Sequence, residues 1–133
     1  MPIEVCWEND IKTGLGFHFR GDWDWRDCRE ALQTASFLHD DVEHDVSYFF
    51  DLTENRVATR VCINHLQKLV NTSIYPAPKR IIVIGTGFRF QMLLDVFEKL
   101  LPKNPFHDIE FAESIGEAFE QIEGGFRLDE KSA

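Results

Sequence analysis

The sequence predicts a single α/β domain on one mixed sheet, with elements in the order β-β-α-β-α-β-α-β-α. Three observations carry that prediction. Residues 3–8 and 11–20 alternate apolar and polar side chains with a period of two. Val46–Leu52 and Ile81–Ile84 are almost continuously apolar, as strands buried on both faces are. Between and after these runs, apolar residues recur at helical spacing. Strands separated by helices pair in parallel through right-handed crossovers, whereas two runs joined by a short turn form an antiparallel hairpin.

In the first strand Ile3, Val5 and Trp7 oppose Glu4, Cys6 and Glu8. Asn9-Asp10 supplies a tight turn, since both types tolerate left-handed backbone. The second strand then sets Ile11, Thr13, Leu15, Phe17 and Phe19 against Lys12, Gly14, His18 and Arg20. Gly21-Asp22-Trp23-Asp24 breaks the alternation. Asp24 and Asp27 have capping-box spacing, and Trp23 with Cys28 has that of a hydrophobic staple. The first helix places Trp25, Cys28, Leu32 and Ala35 on one face and fades at Leu38–Asp41.

After the strand at Val46–Leu52, Asn55 or Thr53 is the expected cap of a second helix. Its apolar stripe is Ala58, Val61, Cys62, Leu66, Leu69 and Val70. Pro76 and Pro78 stop it. Ile81–Ile84 follows as a strand, then Phe88–Leu101 as a third helix punctuated by Pro102 and Pro105, then a short strand at Ile109–Ala112. Ser114 and Glu117 form a capping box for a last helix. That helix buries Ile115, Ala118, Phe119 and Ile122 and stops at Gly124-Gly125. The domain spans residues 1–126, and 127–133 form a polar tail.

At 133 residues the chain has the size of one domain. Such a domain buries roughly two thirds of its unfolded surface, enough to fold without a disulfide or metal. Its net charge of −9 repels phosphate backbones and anionic lipid, which excludes nucleic acid and acidic membranes as expected partners. No apolar run is long enough to span a bilayer, so membrane insertion is not expected. Cys6, Cys28 and Cys62 lie far apart without a C-x-x-C, which suggests reduced thiols and a cytoplasmic location. The start, MPIEVCWEND, lacks the basic and apolar regions of a secretory signal.

Few residues suggest chemistry. Gly85-Thr86-Gly87 follows a strand and opens a helix, where backbone N–H groups and the helix dipole favour an anion. Phe90 stands where the dinucleotide fingerprint needs its third glycine, and no P-loop lysine follows. The plain reading is a tight turn in which glycine relieves strain. His39–Asp45, HDDVEHD, has metal-ligand types but no matching spacing, and reads as a solvated loop; no metal or cofactor is expected. His18 reads as a surface residue and His65 as a packed or half-exposed one. No serine sits in a G-x-S-x-G elbow, and Cys28 and Cys62 lie on apolar helix faces, where a thiol is inert.

The third helix is apolar beyond what one sheet can cover. Its Phe88, Phe90, Met92, Leu93, Leu94, Val96, Phe97, Leu100 and Leu101 spread over roughly 200° at 100° per residue. A helix lying on a sheet needs a stripe little wider than about 100°. Neighbouring helices, a second chain or an apolar ligand must cover the surplus, with Phe88, Phe90, Leu94, Phe97 and Leu101 as the candidate surface.

The opening hairpin, G-D-W-D-W at the start of a helix, YFFDLTEN, RIIVIGTGFRFQMLLDVFEKLLP and IEFAESIGEAFEQI together resemble the SpoIIAA-like, STAS-type domains, which are also classed with Sec14-like lipid-binding domains. The resemblance runs from about Ile3 to Ile122. It implies a non-catalytic regulatory module that acts by protein–protein contact. In such domains a serine at a helix N-terminus after an Asp-Leu-Ser-like turn is phosphorylated by a partner kinase. Asp51-Leu52-Thr53 matches that turn; the Asp-Ser-Ser-Gly that should follow is absent, and Thr59, or less readily Thr53, stands in its place. The expected protein is therefore a binding module, acting as a homodimer or on a protein partner. Its alternatives are a carrier of an apolar small molecule and an anion- or nucleotide-binding enzyme at Gly85–Gly87.

Overall fold

The computed structural model describes residues 2–71, 77–85 and 109–122. In chain order these form β1 (Ile3–Trp7), β2 (Gly14–Gly21), α1 (Trp25–Asp40), β3 (Ser47–Asn55), α2 (Thr59–Asn71), β4 (Arg80–Ile84) and β5 (Ile109–Ala112), with a further helix, α3, over 115–122. The expected α/β class and mixed sheet are present. The helix expected at 88–101 lies outside the described residues, as do Thr86, Gly87, Phe88, Phe90, Leu94, Phe97 and Leu101. The stop at Gly124-Gly125, the boundary at 126 and the tail lie outside them too.

The strands lie across the sheet in the order they occur along the chain, β1-β2-β3-β4-β5. β1 and β2 are antiparallel, with Val5 opposite Phe17; β2 to β5 are parallel, with Phe17 beside Phe50 and Phe50 beside Val83. A chain that advances steadily in one direction through right-handed crossovers lays successive connecting helices on the same face. α1 and α2 obey this. Cys28, Ala31 and Ala35 of α1 and Cys62, Ile63 and Leu69 of α2 join Ile3, Leu15, Phe17, Phe19, Tyr48, Phe50, Leu52 and Val83 in one core. Its aromatic rings interlock, with centroids 5.0 Å apart for Phe17–Phe50 and 4.8 Å for Phe19–Trp23, both edge-on. Each such ring contributes roughly 1.5–3 kcal/mol by leaving water.

α3 returns over the opposite face. There Ala118, with Ile115, Phe119 and Ile122, packs on Phe49, Ile82, Ile84 and Ala112. Phe119 stands edge-on to Phe49 at 4.9 Å and lies over Gly14, where a Cβ would sit 2.8 Å from both rings. Among the described residues, α3 covers the β3–β5 side of this second face.

Several local expectations hold in detail. Asp24 caps α1 and completes the box with Asp27, each side chain accepting the other's N–H at 3.0 and 2.9 Å. Ser114 Oγ accepts the Glu117 N–H at 3.1 Å; the Glu117 carboxylate, however, takes the N–H of Glu113 and not that of Ser114.

Other expectations are corrected. The hairpin turn is longer than Asn9-Asp10. Asn9 Oδ1 accepts the N–H groups of Thr13 and Gly14, both at 3.1 Å, and Lys12 adopts φ 58°, so β2 starts only at Gly14. Ile11 is thereby lifted out of the core parity and is 70% exposed. Neither Thr53 nor Asn55 caps α2, because β3 continues through both and α2 begins at Thr59. Asn55 instead ties the chain down, accepting the Trp23 indole N–H at 2.8 Å and the Val57 N–H at 2.9 Å. The buried stripe of α2 turns toward Ile63 and leaves Val61 44% exposed. His39 is not part of a solvated loop. It lies in the last turn of α1, buried, with Nδ1 2.8 Å from the Tyr48 hydroxyl.

Candidate functional site

On the second face, the β1–β2 side is lined by charge instead of apolar side chains. Period-two alternation sends Glu4 and Cys6 of β1, with Glu8 just beyond, to this face, and Gly14, Gly16, His18 and Arg20 of β2 beside them. Gly16 is a bare step in that row. A Cβ there would overlap the Glu8 carboxylate, so the missing side chain lets Glu8 lie across β2 toward His18. Glu8 Oε1 is 2.5 Å from His18 Nε2, and the Cys6 thiol donates to the same oxygen at 3.5 Å.

The other ring nitrogen meets β3. His18 and Asp51 are register partners, and Nδ1 lies 3.0 Å from Asp51 Oδ2. Beyond this pair the register slips, since Arg20 pairs with Glu54, so two steps of β2 face three of β3. The extra residue makes Asp51–Thr53 a β-bulge, where the sequence suggested a turn. Bulges leave an unpaired amide and re-aim side chains. Here Asp51 Oδ1 accepts both the Thr53 N–H at 3.0 Å and the Thr53 hydroxyl at 2.7 Å. One carboxylate therefore closes the bulge with one oxygen and holds the imidazole with the other.

His18 is face-correct with respect to the sequence expectation but is not a free surface residue. Its side chain is 18% exposed, with those of Glu8 and Asp51 at 14% and 13%. Ionised carboxylates only accept, so both contacts are hydrogen bonds only when the three groups together hold two protons. Arg20 bonds Glu54 at 2.8 Å and Glu4 at 3.3 Å at the exposed margin. Four carboxylates, Glu4, Glu8, Asp51 and Glu54, thus surround one arginine and one histidine.

The arrangement suits holding a cation better than nucleophilic attack. Burial, reinforced by Glu8, pushes the Cys6 thiol up to about 11. Burial likewise pushes Cys28 and Cys62 up to about 12. All three are free thiols, and without a bound cation to displace the proton such raised values make a thiol a weak nucleophile at neutral pH.

The sequence-derived candidates fall at several places. Asp51 and Thr53 are joined directly to one another, and Asp51 to His18. Thr59 is the first residue of α2, apart from that cluster. Gly85 has φ +73°, and a Cβ on it would overlap the Thr53 methyl, so the turn requires glycine. The Gly85 N–H donates to the Ala112 carbonyl at 3.0 Å and is already engaged by β5. Thr86, Gly87 and the 88–101 surface lie outside the described residues. Glu8 and His18 escaped sequence reasoning as a pair. Parity placed both on one face, but only the strand register and the bare Gly16 bring them into contact.

No protein-family model matches this chain, and no curated protein matches it. The site therefore rests on its own geometry.

Proposed function

We propose that this protein is a non-catalytic binding module of the STAS type that acts through protein–protein contact, with a second copy of the chain as its first partner. The observation that carries this reading is Phe37. It projects from α1 with 78% of its surface in water. It continues a helical stripe with the exposed Arg26, Glu30 and Gln33, at steps of four, three and four residues. Arg26, Arg29, Glu30 and Gln33 line a shallow groove on the same stretch of helix. An exposed aromatic ring on a helical stripe that also carries an arginine and adaptable polar groups has the composition of an interface. The opposite side of α1 already carries the core, and among the described residues none covers Phe37 on this side. The raised pKa values of the three cysteines argue against a cysteine nucleophile.

The regulatory part of the STAS reading attaches to the Asp51–Thr53 bulge. Thr53 is exposed, and its hydroxyl is bonded to the carboxylate that orients His18. A change at Thr53 would therefore reach Glu8 through two hydrogen-bonded groups.

Light scattering on fractionated protein over a tenfold concentration range tests the interaction reading. A dimer mass in the wild type that falls to a monomer in Phe37→Asp supports it. A monomer in both samples removes the second copy as partner.

A further inference from the structure

We propose that Cys6, Glu8 and His18 form a binding site for a thiophilic divalent cation of the zinc class, with Asp51 as the outer partner that orients His18. This site lies on the opposite face of the sheet from α1 and does not depend on the interaction reading.

The first argument is the donor set. One ligand atom each from Cys6, Glu8 and His18 lie within 4.8 Å of one another. Thiolate, imidazole and carboxylate are the three protein donors that zinc accepts, and hard oxygen-seeking cations do not select a thiolate. Bonds of about 2.0–2.3 Å in a tetrahedron set ligand atoms about 3.3–3.8 Å apart. The Glu8–His18 contact must open by about an ångström to admit the ion, which rotation of the Glu8 side chain allows. Three protein ligands leave a fourth position for water.

The second argument is the support behind His18. A metal-bound histidine donates its remaining ring N–H to a carboxylate, which fixes the tautomer and turns the other nitrogen toward the ion. Asp51 is placed to accept that bond from Nδ1, which leaves Nε2 facing Glu8, with the Cys6 thiol beside it. Asp51 is itself fixed by the two Thr53 donors at the bulge. Such backing goes beyond what an exposed ion pair requires.

The third argument is space and charge. Gly16 carries no side chain, so the Glu8 carboxylate can lie over β2 within reach of Cys6 and His18, a place that any side chain at 16 would contest. Glu4 and Glu54 add negative charge at the rim, where Arg20 pairs with both.

The test is an optical titration of the reduced, chelator-treated full-length protein with Co²⁺, followed by displacement with Zn²⁺. A thiolate-to-cobalt charge-transfer band should saturate at one equivalent and vanish on adding Zn²⁺. Cys6→Ser should lose the charge-transfer band. Glu8→Gln should weaken binding by about tenfold or more, and Asp51→Asn by about 10- to 100-fold with the band retained, the range typical of outer partners. Circular dichroism checks each fold, and Cys6→Ala replaces Cys6→Ser if the latter does not fold. No band in the wild type overturns the proposal. So does a band that survives loss of the Cys6 thiol, which would place the metal at Cys28 or Cys62, or an affinity untouched by both Glu8→Gln and Asp51→Asn.

Discussion

The Glu8 carboxylate occupies the space that a Cβ on Gly16 would take. The nearby Gly14 is hemmed in as well, but by the rings of Phe49 and Phe119. The two glycines of G-L-G on β2 therefore differ in what surrounds them, and the difference is measurable. A Glu side chain at a part-exposed site can swing into water, whereas two packed rings cannot. Gly16→Ala should cost less than about 1 kcal/mol, because the gain from a stiffer unfolded chain offsets much of the displacement. Gly14→Ala should cost about 1–3 kcal/mol, the usual penalty of overpacking a core. Urea unfolding of both variants checks the order; a Gly16→Ala loss larger than that of Gly14→Ala would contradict it.

Gly85 is constrained twice, by its φ of +73° and by the Thr53 methyl against it. Gly85→Ala should destabilise by about 1–3 kcal/mol. Thr53→Ser removes the methyl but keeps the hydroxyl bonded to Asp51. Combined with Gly85→Ala it should recover the steric part of the loss and leave the backbone part. A double-mutant cycle in denaturant reads the coupling, and strict additivity would show that the methyl contact contributes nothing.

Asn55 fastens the start of α1 to the end of β3 through the indole N–H of Trp23, a residue 4% exposed. Asn55→Ala leaves that buried donor without its acceptor and frees the Val57 amide. The expected loss is about 1–3 kcal/mol. Trp23 packs on Phe19 and on His65, so the same variant should alter the tryptophan fluorescence of the native state.

Stability should fall on mild acidification. Burial lowers the pKa of His39 below its ordinary 6.5, with His44 adding to the shift and Asp40 and Asp45 opposing it. Burial also lowers His65, with Lys68 adding and Asp24 opposing, and its Nδ1 is buried without a hydrogen-bond partner. The unfolded chain then binds more protons than the native one just below pH 6.5. The contribution of these groups is complete above that value and is lost as pH falls toward their native pKa values. Urea midpoints at pH 7.5 and 5.5 should show the drop in the wild type, and a smaller drop in His39→Gln. An equal or larger drop in the variant would remove His39 as a cause.

Legibility in the sequence followed the range of the forces involved. β1 and β5 have the residues their patterns indicated, and the Asp24–Asp27 box formed as its spacing required, because alternation and capping act over two to four residues. Ile11 misled because Asn9, five residues before Gly14, rebuilds the turn with its side chain. Thr53 and Asn55 misled because a bulge inside β3 looks, in sequence, like the turn that ends it. Val61 was misassigned because helical spacing alone leaves a stripe free to rotate by one residue, and packing against the sheet chose Ile63.

Sequence alone determined the α/β class, the single mixed sheet, and that Glu8 and His18 lie on the polar side of the opening hairpin. These follow from periodicity, which local backbone geometry enforces. Tertiary structure decided that Glu8, Gly16, His18 and Asp51 meet. His18 and Asp51 are 33 positions apart and become neighbours only through the parallel register of β2 and β3. Glu8 reaches the same ring only because the antiparallel hairpin sets it beside a residue with no side chain. Register depends on the summed burial of Phe17, Tyr48, Phe50 and their partners on the opposite face of the sheet, so the charged cluster is positioned by a core of which it is not part.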